Sequence, residues 1–333
     1  MNLYKAEIHR FARRRLSLIF GICGFAGLLL FSAVLAFNSQ TGPTEAERAE
    51  AREMADNLNA DYDRCAEDEE FFEDPEHVWV SEEPHFDDMT HEEICAELFP
   101  AQAQEEDFLY VYTFHFENEG TGIISGIAVL VGLLAMLLAS SVVGAEWSSG
   151  GMANLLVWHP ARMRVWGAKL AAGLTVCAAA VVAVVALAFV LLYLVAALRG
   201  ETGTLDAAWW QDALGRLTRS LALAMGMTVL GSSLAMLGRH TAIAGGVIAG
   251  YLVVGDLLVR LAGFALNVKF PNRFSLYTWV DAWISGRVTL RDWSGRFEET
   301  MTLTATDAGL LLGGIVLVFT ALATWSFARR DAS

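Results

Sequence analysis

The chain has 333 residues and a formal charge of −15, with 55% hydrophobic and 18% charged residues. A soluble domain is nearer a quarter charged, so one water-excluded globular core does not account for this composition. It has no Gly-x-x-x-x-Gly-Lys-Ser/Thr loop, so the chain is not expected to hydrolyse nucleotide itself.

Residues 1–15 place Leu3, Tyr4, Ile8 and Phe11 at helical spacing, with Lys5, Glu7, Arg10 and Arg13 assigned to the other face. That pattern predicts an interfacial amphipathic helix lying on the inner leaflet. Residues 16–37 hold no charge and suffice for a first membrane span. The run is longer than a secretory h-region, which favours an anchor over a cleaved signal.

Residues 38–121 hold 26 of the 38 acidic residues and three of the 23 basic ones, giving −23 here and +8 elsewhere. Segregation this sharp predicts a small acidic extracytoplasmic domain, with the basic residues marking the inner face. Thr44 and Glu47 form a capping-box pattern that opens a helix over 44–60. Pro75 and Pro84 break residues 66–93, where Phe71, Phe72, Trp79 and Phe86 could form a small core. His77, His85, His91 and His115 sit among carboxylates in no compact ligand motif. Diffuse cation attraction is expected there rather than a specific metal site. Cys65 and Cys95 are this domain's two cysteines. In an oxidising compartment they allow one pairing, so a disulfide is expected, with two free thiols as the alternative. Cys23 and Cys177 fall in apolar runs and read as packing residues.

Residues 122–144 form an uncharged second span, and residues 170–198 a third that is longer than a bilayer needs. Residues 217–237 make a fourth, interrupted by Arg219, and residues 240–263 a fifth containing Asp256 and Arg260. That charged pair is one helical turn apart. A transport role and a self-neutralising ion pair are both open. Residues 264–307 read as an extracytoplasmic or re-entrant segment, 308–328 as the sixth span and 329–333 as a tail. Lys5, Arg10, Arg13, Arg14, Arg15, Arg162, Arg164, Lys169, Arg239, Arg329 and Arg330 then share one side if both termini are cytoplasmic. Lys269, Arg273, Arg287, Arg291 and Arg296 fall outside, in a stretch long enough to obey the rule weakly. The predicted fold is thus an all-α integral membrane protein with six spans.

Residues 145–169 are the most motif-like part. Glu146 sits at the membrane edge, Gly150 and Gly151 permit a tight reversal, and a short apolar helix over 152–158 ends at Pro160. Met152, Leu155, Leu156 and Trp158, exposed on the inner face, would need a partner to cover them. Side chains lying on lipid are the plainer alternative.

These features resemble an ABC-2 type transporter permease. The resemblance rests on Glu146-Trp147-Ser148-Ser149-Gly150 after span two, the short helix, Pro160, Arg162 and Arg164, and Lys169 opening span three. An actinobacterial group is most similar, through Arg239-His240-Thr241, the Tyr251–Val254 stretch, Ala282-Trp283 and an acidic loop with paired cysteines. It implies an exporter-like fold in which Met152 to His159 form a coupling helix inserted into a separate ATPase subunit. Glu146, Ser149, Gly150 and Gly151 would shape the bend into that helix, and Arg162 would follow it. It also implies pairing with a second permease, a copy or a sibling chain, in the cell membrane. ATP and Mg would bind to the ATPase, with no cofactor, catalytic residue or metal in this chain and no nucleic-acid partner. Residues 264–307 would be a re-entrant hairpin. An alternative reading is an ATPase-independent membrane sensor whose acidic head binds cations or a cationic peptide.

Overall fold

Six helices among the described residues are long and apolar enough to cross a membrane. The computed structural model describes residues 3–68, 71–73, 86, 89–99, 103–266, 268–292 and 299–329. Pro75, His77, Trp79, Pro84, His85, Arg296 and Arg330 lie outside the described residues. The chain divides into two compact units. One comprises Met1–Val34, His115–Leu198 and Thr202–Ser333, and the other Leu35–Phe114 and Arg199–Glu201.

The elements in chain order begin with α1 (Leu3–Ala12), α2 (Arg15–Asn38), α3 (Glu45–Glu67) and α4 (His91–Leu98). Next come α5 (Thr121–Ser148), α6 (Gly151–Trp158), α7 (Arg162–Arg199), α8 (Ala207–Gly238) and α9 (Thr241–Gly250). The order closes with α10 (Asp256–Ala265), α11 (Leu276–Ser285), the strands β1 (Arg287–Asp292) and β2 (Glu299–Thr304), and α12 (Ala305–Arg329). Several helices outrun their hydropathy. Helix α7 starts at Arg162 rather than 170, and α8 at Ala207 rather than 217. The polar first turns of α8 are stabilised locally. Asp206 accepts from Trp209 N at 2.8 Å, and Arg216 pairs with Asp212 at 2.6 Å. The predicted loop over 145–169 is therefore mostly helix.

In the larger unit, α5 and α8 form the tightest pair. A methyl group added at Gly132 would lie 2.9 Å from Ala224 Cα, and one at Gly231 would meet the Met136 carbonyl. Small residues let the two backbones approach, the usual basis of helix association in lipid. Helix α12 joins through Ser233 and Thr320, whose hydroxyls are 3.3 Å apart. By contrast α2 is barely covered. Ile22 and Leu30 are 60% and 66% exposed, a surface suited to hydrocarbon rather than water.

Span five is not one uniform helix. A π-helical turn, Tyr251–Gly255, separates α9 from α10, and Gly255 makes room for the Tyr251 ring. Tyr251 Oη accepts from Leu276 N at 2.9 Å, and Ser275 donates to Asp256. Residues 264–307 hold α11 and an antiparallel hairpin that pairs Arg287 with Thr304 and Asp292 with Glu299. Trp283 of α11 packs on Gly309 of α12 and donates to the Arg219 carbonyl of α8 at 2.7 Å.

The smaller unit is stapled. Cys65 and Cys95 form a disulfide between α3 and α4 with a Cα separation of 5.8 Å, and both are fully buried. His91 Nε2 lies 2.6 Å from the Cys65 carbonyl. Asn59 exchanges two hydrogen bonds with the Ala103 backbone, and Arg52 pairs with Glu105 at 2.7 Å. Thr44 and Glu47 complete the expected capping box, and Thr90 and Glu93 build a second one on α4. Donation from the backbone and hydroxyl of each threonine holds Glu47 and Glu93 below the usual carboxylate range.

Two outcomes follow for this unit. Cys95→Ser should lower its melting by the equivalent of about 3–4 kcal/mol, the loop-closure value for a separation of this size. Because both capping glutamates have depressed values, their contribution is complete above about pH 4.3 and fades as pH falls through the folded values. Protection of the Thr44 and Thr90 amides, which donate to these carboxylates at 2.7 Å and 2.8 Å, should fall over that acid range, and Glu47→Gln should abolish the effect for α3 alone.

Candidate functional site

The sequence places two glycines where α5 must reverse. Gly150 takes the left-handed conformation at φ 71°, which a glycine adopts without strain. Helix α6 follows at once and stops at Trp158, before Pro160. Its residues do not share one environment. Met152 is fully buried and Leu156 is 9% exposed, both packed with Val143, Trp166, Met236 and Phe327 of the same chain. Leu155 packs at the edge of that cluster. The expectation that all four large apolar side chains await a partner is therefore corrected. The i,i+4 pair Met152 and Leu156 faces inward, while Val157 and Trp158 remain 79% and 77% exposed. Ser149, Gly150 and Gly151 form the exposed bend, and His159 is exposed beside a shallow pocket lined with Leu3, Pro160 and Arg164.

Glu146 does more than shape the bend. It belongs to a buried charge cluster that draws together α1, α5 and α7. Lys169 Nζ lies 3.0 Å from Glu7 Oε1 and 2.5 Å from Glu146 Oε2, with Glu7 and Lys169 each 1% exposed. The second contact is an ion pair off the hydrogen-bonding direction, since Glu146 Oε2 has no donor among the described residues. Arg10 Nη1 bridges the two carboxylates at 3.2 Å and 2.6 Å. Arg14 donates to the Ser141 carbonyl at 3.0 Å. Burial draws Arg14 below the usual arginine range, and Glu146 opposes that shift.

The cluster changes the reading of α1. Leu3, Glu7 and Phe11 recur every four residues and so share one row. Glu7 lies on the apolar stripe, not opposite it. Phe11 is buried against Leu138, Val142 and Ala172, and Tyr4 meets Thr175 Oγ1 at 2.7 Å. Much of the stripe is covered by α5 and α7.

An aromatic contact set begins one residue further on. Trp147 Nε1 donates to Met236 Sδ at 3.2 Å, its ring meets Phe327 edge-on, and the Arg239 guanidinium lies over it at 4.9 Å. Arg162 reaches the Phe327 carbonyl at 3.5 Å, and Trp166 donates to Thr324 Oγ1 at 3.0 Å. Elsewhere, Asp256 and Arg260 form the foreseen pair at 2.8 Å, with Arg260 half-exposed. They lie apart from the α6 site, on α10.

Glu7, Arg10, Trp147, Lys169 and Arg239 were not foreseen as site residues. The four-residue row through Glu7, and a lysine abutting the third apolar run, were the available signals.

Removing one partner of a buried pair costs about 3–5 kcal/mol, because it strands a charge. Lys169→Met should therefore destabilise the larger unit by that order and expose α1 to protease. Glu7→Gln in the same chain should recover part of the loss. Melting in detergent, read as a double-mutant cycle, checks both expectations.

A family model described as ABC-2 family transporter protein matches residues 1–332. No curated protein and no solved structure matches the chain. With six long apolar helices and a match across nearly its whole length, the chain belongs to the ABC-2 transporter family and is a multi-pass membrane permease component.

Proposed function

We propose that this chain is the permease of an ABC-2 exporter driven by a separate ATPase subunit that grips α6. The exposed end of α6 carries the reading. Val157 and Trp158 stand out from a helix whose other face is anchored by Met152 and Leu156. An exposed tryptophan beside a valine on a short, fixed helix is the kind of anchor that fills a partner's groove. Anchoring matters as much as exposure, because a loose helix would yield without moving the spans.

ATP and Mg bind in the partner subunit. Closure of that subunit displaces α6, and the displacement enters α5 through the Gly150 corner. A second permease, a copy or a sibling chain, completes the path. The basic residues of the N-terminal segment and of the stretch after α6, among them Arg13, Arg15, Arg162 and Arg164, support a cytoplasmic placement of α6, and both termini belong on that side. The cell membrane is the proposed location, with residues 38–121 outside.

Purification in mild detergent should retain a nucleotide-binding subunit. Replacing Val157 and Trp158 by glutamate should weaken that association about 30-fold or more, as for the loss of a hot spot of roughly 2 kcal/mol. Melting of the permease itself should not change, since both side chains are exposed. A wild-type chain that retains no such subunit would refute the reading.

A further inference from the structure

Arg239 lies in the turn between α8 and α9, where it caps α8 with φ 53°. Left-handed backbone is strained for a residue with a Cβ, and glycine is the usual choice at a helix end. A glycine is present, but one position early, at Gly238. The chain therefore keeps an arginine where its backbone disfavours one. The arginine Nε is buried and has no hydrogen-bond partner among the described residues. The placement of its guanidinium is over the Trp147 ring, at 4.9 Å from the centroid. Trp147 in turn sits three residues before Gly150, at the root of α6.

The far side of Arg239 leads directly into span five. His240 caps α9, its Nδ1 accepting from Ala242 N at 3.2 Å. Gly144 of α5 lies flush against Thr241, where an added methyl group would come within 2.6 Å of the Thr241 amide nitrogen. The rest of that span is loosely held. Of an 18-residue stretch within Gly245–Ala265 only 11% is buried, against 44% of one within α8. The first turn of the span therefore follows α5, while its later ties, from Leu276 N to Tyr251 and from Ser275 to Asp256, run to α11.

We infer that Arg239 is a positioning residue: seated on Trp147, it carries the displacement of α6 into the α8–α9 turn and so into span five. The inference rests on α6 being the element that the ATPase moves. It assigns a role that packing alone does not explain, because Arg239 strains its backbone and leaves Nε without a partner.

The test separates stability from transmission. Arg239→Gly relieves the left-handed backbone and deletes the cation over the ring, whereas Arg239→Lys keeps a cation there. The complex with its ATPase, reconstituted in lipid nanodiscs in a Cys23→Ser background, takes an environment-sensitive fluorophore at Ser148→Cys or at Val247→Cys. Both positions are exposed, one at the end of α5 and the other on α9. A non-hydrolysable ATP analogue should change both signals in the chain that retains Arg239. In Arg239→Gly the Ser148 signal should persist and the Val247 signal should be lost, with melting unchanged or raised. Arg239→Lys should restore the Val247 signal. An undiminished Val247 signal in Arg239→Gly would overturn this inference alone, as would a fall in melting that Lys fails to reverse. A silent Ser148 reporter in the chain that retains Arg239 would overturn the coupling role of α6 and this inference together.

Discussion

A lysine withdrawn from water must be met by negative charge, and much of the α6 end is arranged around that requirement. Lys169 is 1% exposed at the head of α7. An ammonium so placed is tolerable only with carboxylates at contact distance. Neither carboxylate comes from its own helix. Glu146 is carried by the last turn of α5, and Glu7 by α1. Satisfying one charge therefore fixes three helices, and it fixes α1 in a particular rotation, because Glu7 shares its row with Leu3 and Phe11. With α1 turned that way, Phe11 has to enter the contact between α5 and α7. The polar pairing and the apolar packing enforce the same geometry.

The spans could be read from the sequence because hydropathy over about 20 residues is a strong, local signal. The α6 corner was legible for a similar reason, since Gly150, Gly151 and Pro160 each restrict the backbone locally. The disulfide and the Thr44 cap followed from spacing and compartment. What hydropathy could not supply was where a charged residue finds its partner. Lys169 and Glu7 are separated by 162 positions in the chain, and their pairing is a tertiary fact. Glu7 was further disguised because a charged residue in an amphipathic helix is normally assigned to the wet face. Helices α7 and α8 extend beyond the spans read for them because apolar runs mark the lipid-suited part of a helix, not its full hydrogen-bonded length. The break at Tyr251–Gly255 had no composition of its own to announce it.

Charges inside or beside the spans are handled in two ways. Asp256 and Arg260 neutralise each other along one helix, with Ser275 as a second partner for the carboxylate. That arrangement is nearly self-contained and binds α10 only to the start of α11. The Lys169 cluster is the reverse, since its members come from three elements and, apart from the Glu7–Arg10 contact within α1, its pairs join different helices. A self-contained pair can ride on a moving helix without loss. A distributed cluster resists relative motion of its helices and so makes them move together.

The last turn of α5 shows how a single helix end can address its neighbours separately. Successive residues of an α-helix are rotated by roughly 100°. Taking Gly144 as the origin, Glu146 points about 200° around the axis and Trp147 about 300°. Gly144 accordingly abuts α9, Glu146 reaches α1 and α7, and Trp147 meets α8 and α12. Three residues within four positions therefore contact five helices, through a close backbone approach, a charge cluster and an aromatic ring. Because α6 hangs from this same turn by a glycine corner, a rotation imposed there is delivered to all five together, and which of them yields depends on how firmly each is held elsewhere. Span five is among the least held, so its response to such a rotation should be the largest.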